Sequence, residues 1–155
     1  MLRILVALAV VACAVPVEGA PARASSRIRA YQGRFETVVA GADQLAVLDS
    51  LGAMAERAGF LLRSRDEEKL RLLYERPAAA EEVARVGWTV SSTEVNRLQF
   101  EVVEGKNGHL EIVSVTSLVQ NPRAVDEKEM DVGKLQPWRN EMKALLDRVK
   151  RAFPA

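Results

Sequence analysis

Arg97-Leu98-Gln99-Phe100-Glu101-Val102-Val103-Glu104-Gly105-Lys106-Asn107-Gly108-His109-Leu110-Glu111-Ile112-Val113 decides the fold. Leu98, Phe100 and Val102 alternate with Arg97, Gln99 and Glu101, the period of a strand with one buried face. The turn Glu104 to Gly108, with glycine at two of its five positions, leads to a second strand, His109 to Val119, which Asn121-Pro122 stops. The pair reads as a hairpin, and its first strand has room to begin as early as Trp88.

Working outward, Pro137 opens a last helix whose apolar stripe is Trp138, Met142, Leu145, Leu146, Val149 and Phe153. Upstream, Asp43 caps a helix with Val47, Leu48, Leu51, Met54, Ala55 and Ala58 on one face and Gly59 at its stop. Phe35 to Ala40 is a short β-branched strand between Gly33 and Gly41. Phe60 to Arg63 and Lys69 to Glu75 read as strands around the charged turn Ser64 to Glu68. Pro77 and Ala78 to Val83 start a short helix that Gly87 closes. Both main helices carry an apolar face that needs cover. The order predicts an α+β two-layer sandwich, an antiparallel sheet of about five strands with two main helices packed on one face.

Length and charge narrow the functions. A chain of 155 residues holds one domain after a leader is removed. The 22 basic and 21 acidic side chains give a net charge of +1, so no general field draws in nucleic acid or an anionic membrane. Cys13 is the only cysteine, which leaves the rest of the chain without disulfides.

The first residues read as a targeting signal. Arg3 precedes an apolar run from Ile4 to Val15, too short for the roughly 20 residues of a membrane-spanning helix. Ala20 and Ala22 give an Ala-x-Ala cleavage pattern, so residues 1–22 are a signal peptide and the mature chain starts near Arg23. A second reading takes Val10-Val11-Ala12-Cys13, which resembles the lipobox of bacterial lipoproteins and implies acylation of Cys13. A third takes Arg23, Arg27, Arg29 and Arg34, with serines and no acid, as the second part of a two-part signal to an organelle lumen. The plainer expectation is a linker over 23–34 and a single domain over 35–155, periplasmic or secreted.

No spacing of residues encodes catalysis. His109 is the only histidine, which excludes a histidine-based metal site. The run Asp126 to Asp131 puts lysine and methionine where a calcium loop needs oxygens, and reads as a solvated connector. Glu101, Glu104 and Glu111 could be drawn together across the hairpin as paired acids, although carboxylates are common on solvent faces. No metal or cofactor is expected. The last helix carries Arg139, Lys143, Arg148, Lys150 and Arg151 against Glu141 and Asp147, with Asp147 four residues from both Lys143 and Arg151. Arg148 and Arg151 are candidates for binding an acidic partner or membrane surface. Trp88, followed by Thr89, Ser91, Ser92 and Thr93, is a candidate recognition aromatic.

The strand Phe35 to Ala40, the helix running from Asp43 to Phe60, the strands of Leu98 to Val119 and the helix Trp138 to Phe153 give an element order with a known likeness. It resembles the small domains of the C lipoprotein of the bacterial outer-membrane barrel-assembly machinery. The resemblance implies a non-catalytic envelope protein working through protein contacts, although element order alone does not fix function. The functional expectation is therefore an exported protein-binding or envelope-assembly domain whose partner is an envelope or extracellular protein. The alternative is a carrier of a small apolar ligand or lipid between the C-terminal helix and the sheet. Leu73, Val103, Val113 and Val119, off the main alternation of their strands, hint at it.

Overall fold

A computed structural model describes residues 31–91 and 93–154, so the segment read as a signal peptide, Cys13 and most of the segment read as a linker lie outside the described residues. The chain forms β1 (Phe35–Ala40), α1 (Gln44–Arg57), β2 (Leu61–Asp66), β3 (Arg71–Pro77), α2 (Ala80–Arg85), β4 (Val95–Glu104), a 3-10 turn (Lys106–Gly108), β5 (His109–Gln120), β6 (Lys128–Asp131) and α3 (Trp138–Ala152). The strands are all antiparallel in the order β1-β5-β4-β3-β2. The architecture is the α+β sandwich expected from the sequence.

Alternation sends one side of the sheet to the helices. Leu72, Tyr74, Leu98, Phe100, Val102, Leu110 and Ile112 meet Val47, Leu48, Leu51 and Ala55 of α1 and Met142, Leu145, Leu146 and Val149 of α3. Each such side chain, fully buried, contributes about 1.5–3 kcal/mol. The Asp43 carboxylate accepts the Ala46 N–H at 2.9 Å, capping α1 as its sequence predicts. Gly52 lets α1 lie close on the sheet, because a Cβ there would stand 2.8 Å from the Tyr74 hydroxyl oxygen. A second cluster, Val83, Leu118, Val132 and Trp138 with Trp88 and Met130 against it, closes the end of the sheet beside α2.

Four local expectations are corrected. The acidic run is no solvated connector: Lys128–Asp131 forms β6 on the part of β5 that overhangs β1, Ser117 to Gln120. Its carboxylates find donors there, with the Ser117 hydroxyl 2.6 Å from Glu129 and the Gly33 N–H 2.7 Å from Asp131. The turn between β2 and β3 falls at 67–70, held by the Lys69 N–H on the Asp66 carboxylate at 3.0 Å, with Leu70 at a φ of 51°. Pro77 ends β3, and α2 starts at Ala80, where the Glu82 carboxylate accepts the Ala79 N–H at 2.8 Å. Finally, β4 starts at Val95, because the buried Glu94 carboxylate gathers the Ser91 N–H and hydroxyl into a turn first.

Gly33, in the segment read as linker, is buried and bonded to Asp131, so the fold takes in the residues just before β1. No helix among the described residues is long and apolar enough to cross a membrane.

Candidate functional site

The first turn of α3 is fixed by polar contacts from β3 and β4, which Glu82 of α2 links to each other. The indole N–H of Trp138 donates to the Asn96 side-chain oxygen at 2.7 Å, and the Asn96 amide donates to Glu82 at 2.6 Å. Arg76 donates to Glu82 at 3.2 Å and to both oxygens of Glu141 at 2.8 and 3.0 Å. Its guanidinium lies 4.6 Å over the Phe60 ring. Burial pushes the Glu141 carboxyl above its usual range and the Glu82 charge adds to this, while Arg76 pulls it back.

This network sorts the charges of α3. Of its two carboxylates, Glu141 turns inward to Arg76, whereas Asp147 is exposed. Arg139, Lys143, Arg148, Lys150 and Arg151 are exposed as well. Five cations therefore share the solvent face with one carboxylate. Among the described residues no ion pair within 4.0 Å joins Asp147 to Lys143 or Arg151, so the expected support along the helix is not formed. The physical reason is that an exposed pair gains at most about 1 kcal/mol while it immobilises two long side chains.

Arg148 and Arg151 lie on the C-terminal half of α3, both exposed. Trp88 is half-buried against the cluster around Trp138, at the other end of the helix. Ten residues separate Trp138 from Arg148, about 15 Å of helix. The structure thus brings the two arginines together and leaves Trp88 apart from them.

On the far side of the sheet the charges are reciprocal. Arg97 donates to Glu75 at 3.0 and 2.9 Å and to Glu127 at 3.0 Å, and Glu129 is 3.6 Å away. Burial by itself would lower the Arg97 pKa, but the bonds to Glu127 and Glu75 outweigh it and raise it. Arg71 pairs with Glu101 at 2.9 Å there, whereas Glu104, at the end of β4, accepts from Gln44 of α1 at 2.8 Å. Glu101, Glu104 and Glu111 do line one depression, of about 390 Å³, with Val103 and Val113. Among the described residues no group of three or more His, Cys, Asp or Glu is placed to hold a metal ion. His109, half-buried at the start of β5, has a buried Nδ1 with no hydrogen-bond partner.

The apolar residues that hinted at a carrier sit elsewhere than that reading requires. The register alternates Val113 with Ile112 and Leu73 with Leu72, so Leu73, Val103, Val113 and Val119 face away from the helices. Between α3 and the sheet, Met142, Leu145, Leu146 and Val149 are packed to 5% exposure or less.

The network on Arg76 is almost invisible in the sequence. Glu82, three residues after Ala79, was its one visible signal. Arg76 and Glu141 are 65 residues apart, and nothing local marks them as partners.

No family model matches the chain, and no curated protein matches it. Among solved structures it is similar to a DUF4468 family protein from Bacteroides ovatus, with 16% sequence identity and a TM-score of 0.38 over 80% of this chain and 88% of that one. It is also similar to a TBP-like protein from Parabacteroides distasonis, with 10% identity and a TM-score of 0.37 over 77% of this chain and 94% of the other.

Proposed function

We propose that this chain is an exported, non-catalytic protein-binding domain of the cell envelope that acts in assembly through the solvent face of α3. The observation that carries this reading is the charge of that face. Arg139, Lys143, Arg148, Lys150 and Arg151 stand there against Asp147, because Arg76 holds Glu141 inside. A concentrated basic face on a chain of net charge +1 attracts an acidic partner at short range while leaving little field elsewhere. The charged groups on the far face of the sheet engage one another instead, which suits a scaffold.

The test is photo-cross-linking in cells that make the protein at native level, with the reactive residue placed in turn at Lys143, Arg151, Glu111 and Val113. A defined protein adduct from the α3 positions, identified by mass spectrometry, supports the reading. No protein adduct from any position overturns it. A lipid recovered in stoichiometric amount from a solvent extract of the purified protein replaces it with the carrier.

A further inference from the structure

We propose that the flank of α3 formed by Arg139, Lys143 and Lys150 docks an extended acidic segment of the partner protein, with Asp147 setting its register; this rests on the protein-binding reading above. The three cations fall at i, i+4 and i+11, one side of a helix, and all are exposed. None of them has an ion pair among the described residues. At about 1.5 Å per residue they stand roughly 6 Å and then 10 Å apart along the axis. An extended chain rises about 3.3 Å per residue, so acidic side chains at i, i+2 and i+5 reach all three.

Asp147 interrupts the row between Lys143 and Lys150. It repels an acid placed opposite it, at i+3 or i+4 of the docked chain, and so discriminates a spaced acidic segment from a continuous one. The helix is held firmly for this purpose. Its apolar stripe is in the core, and Arg76 and Asn96 grip its first turn through Glu141 and Trp138.

An acidic polypeptide fits this surface better than a membrane does. A helix lying on a bilayer buries a free apolar face among the lipids. The apolar face of α3 is consumed by the sheet, and none of the large exposed hydrophobic side chains of the described residues lies on the helix.

The experiment measures fluorescence anisotropy of a labelled peptide of about nine residues, with glutamate at i, i+2 and i+5 and neutral polar residues elsewhere, on the exported protein. Binding is expected, weakening as salt rises from about 50 to about 300 mM. The double variant K143E/K150E is expected to lower affinity roughly tenfold or more, and Asp147→Asn to raise it roughly twofold or more. R57E/K106E makes the same change in net charge on exposed residues of α1 and of the turn before β5, outside α3, and is expected to leave affinity within about twofold. Equal losses from R57E/K106E and K143E/K150E overturn the site, because they mark a general field. Binding to phosphatidylglycerol vesicles with no binding to the peptide also overturns it, in favour of a membrane surface. If the peptide fails while cross-linking recovers a protein partner at the α3 positions, this docking site falls and the protein-binding reading stands. If both fail, both fall.

Discussion

Arg76 of β3 and Glu141 of α3 meet through two hydrogen bonds of 2.8 and 3.0 Å, although 65 residues separate them in the chain. The pair ties the C-terminal helix to the end of β3, and it removes a carboxylate from a helix surface that is otherwise basic. Replacing Arg76 by Met keeps much of the stem packing on Phe60 but leaves Glu82 and Glu141 without their shared cation. Breaking a fully buried pair costs about 3–5 kcal/mol, and this one is partly exposed, so a loss of roughly 2–3 kcal/mol is expected from urea unfolding. A change below about 0.5 kcal/mol would show that the network is dispensable.

The same pair gives the fold a pH dependence of known sign. The Glu141 carboxyl is raised in the folded state by burial, so between its unfolded and folded values the native protein holds a proton that the unfolded chain has released. Its contribution is therefore full below the ordinary carboxylate range and is lost as pH rises through the folded value. Glu141→Gln is expected to flatten the stability profile over that interval. Thermal melts of both proteins from about pH 4 to about pH 7 test it, and an unchanged profile refutes the assignment.

Trp138 carries both area and a hydrogen bond. Trp138→Phe keeps most of the apolar contact but leaves the Asn96 oxygen, which belongs to a fully buried side chain, without its donor. The expected loss is about 1–3 kcal/mol for the orphaned acceptor, on top of any cavity left by the smaller ring. A double-mutant cycle with Asn96→Leu isolates the coupling between the two side chains.

Gly33 and Gly133 touch backbone to backbone. A Cβ on Gly133 would lie 2.0 Å from the Gly33 carbonyl oxygen, and one on Gly33 would lie 2.4 Å from Asp131. Asp131 holds the contact by accepting both glycine N–H groups, at 2.7 and 3.0 Å. Gly133→Ala is expected to cost about 2–3 kcal/mol by forcing the segment before β1 away from the loop after β6. A midpoint in urea equal to that of the parent protein would contradict this close approach.

Ser114 is a stabilising opportunity. Its hydroxyl is fully buried on the helix side of β5, opposite Phe35 and Phe100, and has no hydrogen-bond partner. Ser114→Ala removes an unsatisfied group at almost no loss of volume, so stability is expected to hold or to rise by up to about 1 kcal/mol. A loss larger than that, by the same urea measurement, would reveal a role for the hydroxyl.

Much of the architecture was legible along the chain because its signals are local. The alternation of Leu98, Phe100 and Val102 and the stripe from Trp138 to Val149 each depend on neighbours within one or two turns, and both point into the core. Asp43 as a cap is likewise a property of one loop. The β6 strand was not legible. Lys128–Asp131 is short and mostly charged, and it forms because β5 extends past β1 and offers open backbone groups. The turn at Leu70 was missed for a related reason, since its positive φ is imposed by the hairpin and not by a glycine.

The sequence by itself determined the main helices and the two hairpins, the two-layer packing and the cationic composition of the last helix, because periodicity and charge are properties of the chain. Only the tertiary structure decided which of those charges face solvent. Glu141 and Asp147 look alike along the helix, yet one meets Arg76 and the other meets water. That difference comes from the end of β3 bringing Arg76 to the first turn of α3, a juxtaposition that no local pattern encodes, and it is what leaves the outer face of the helix basic.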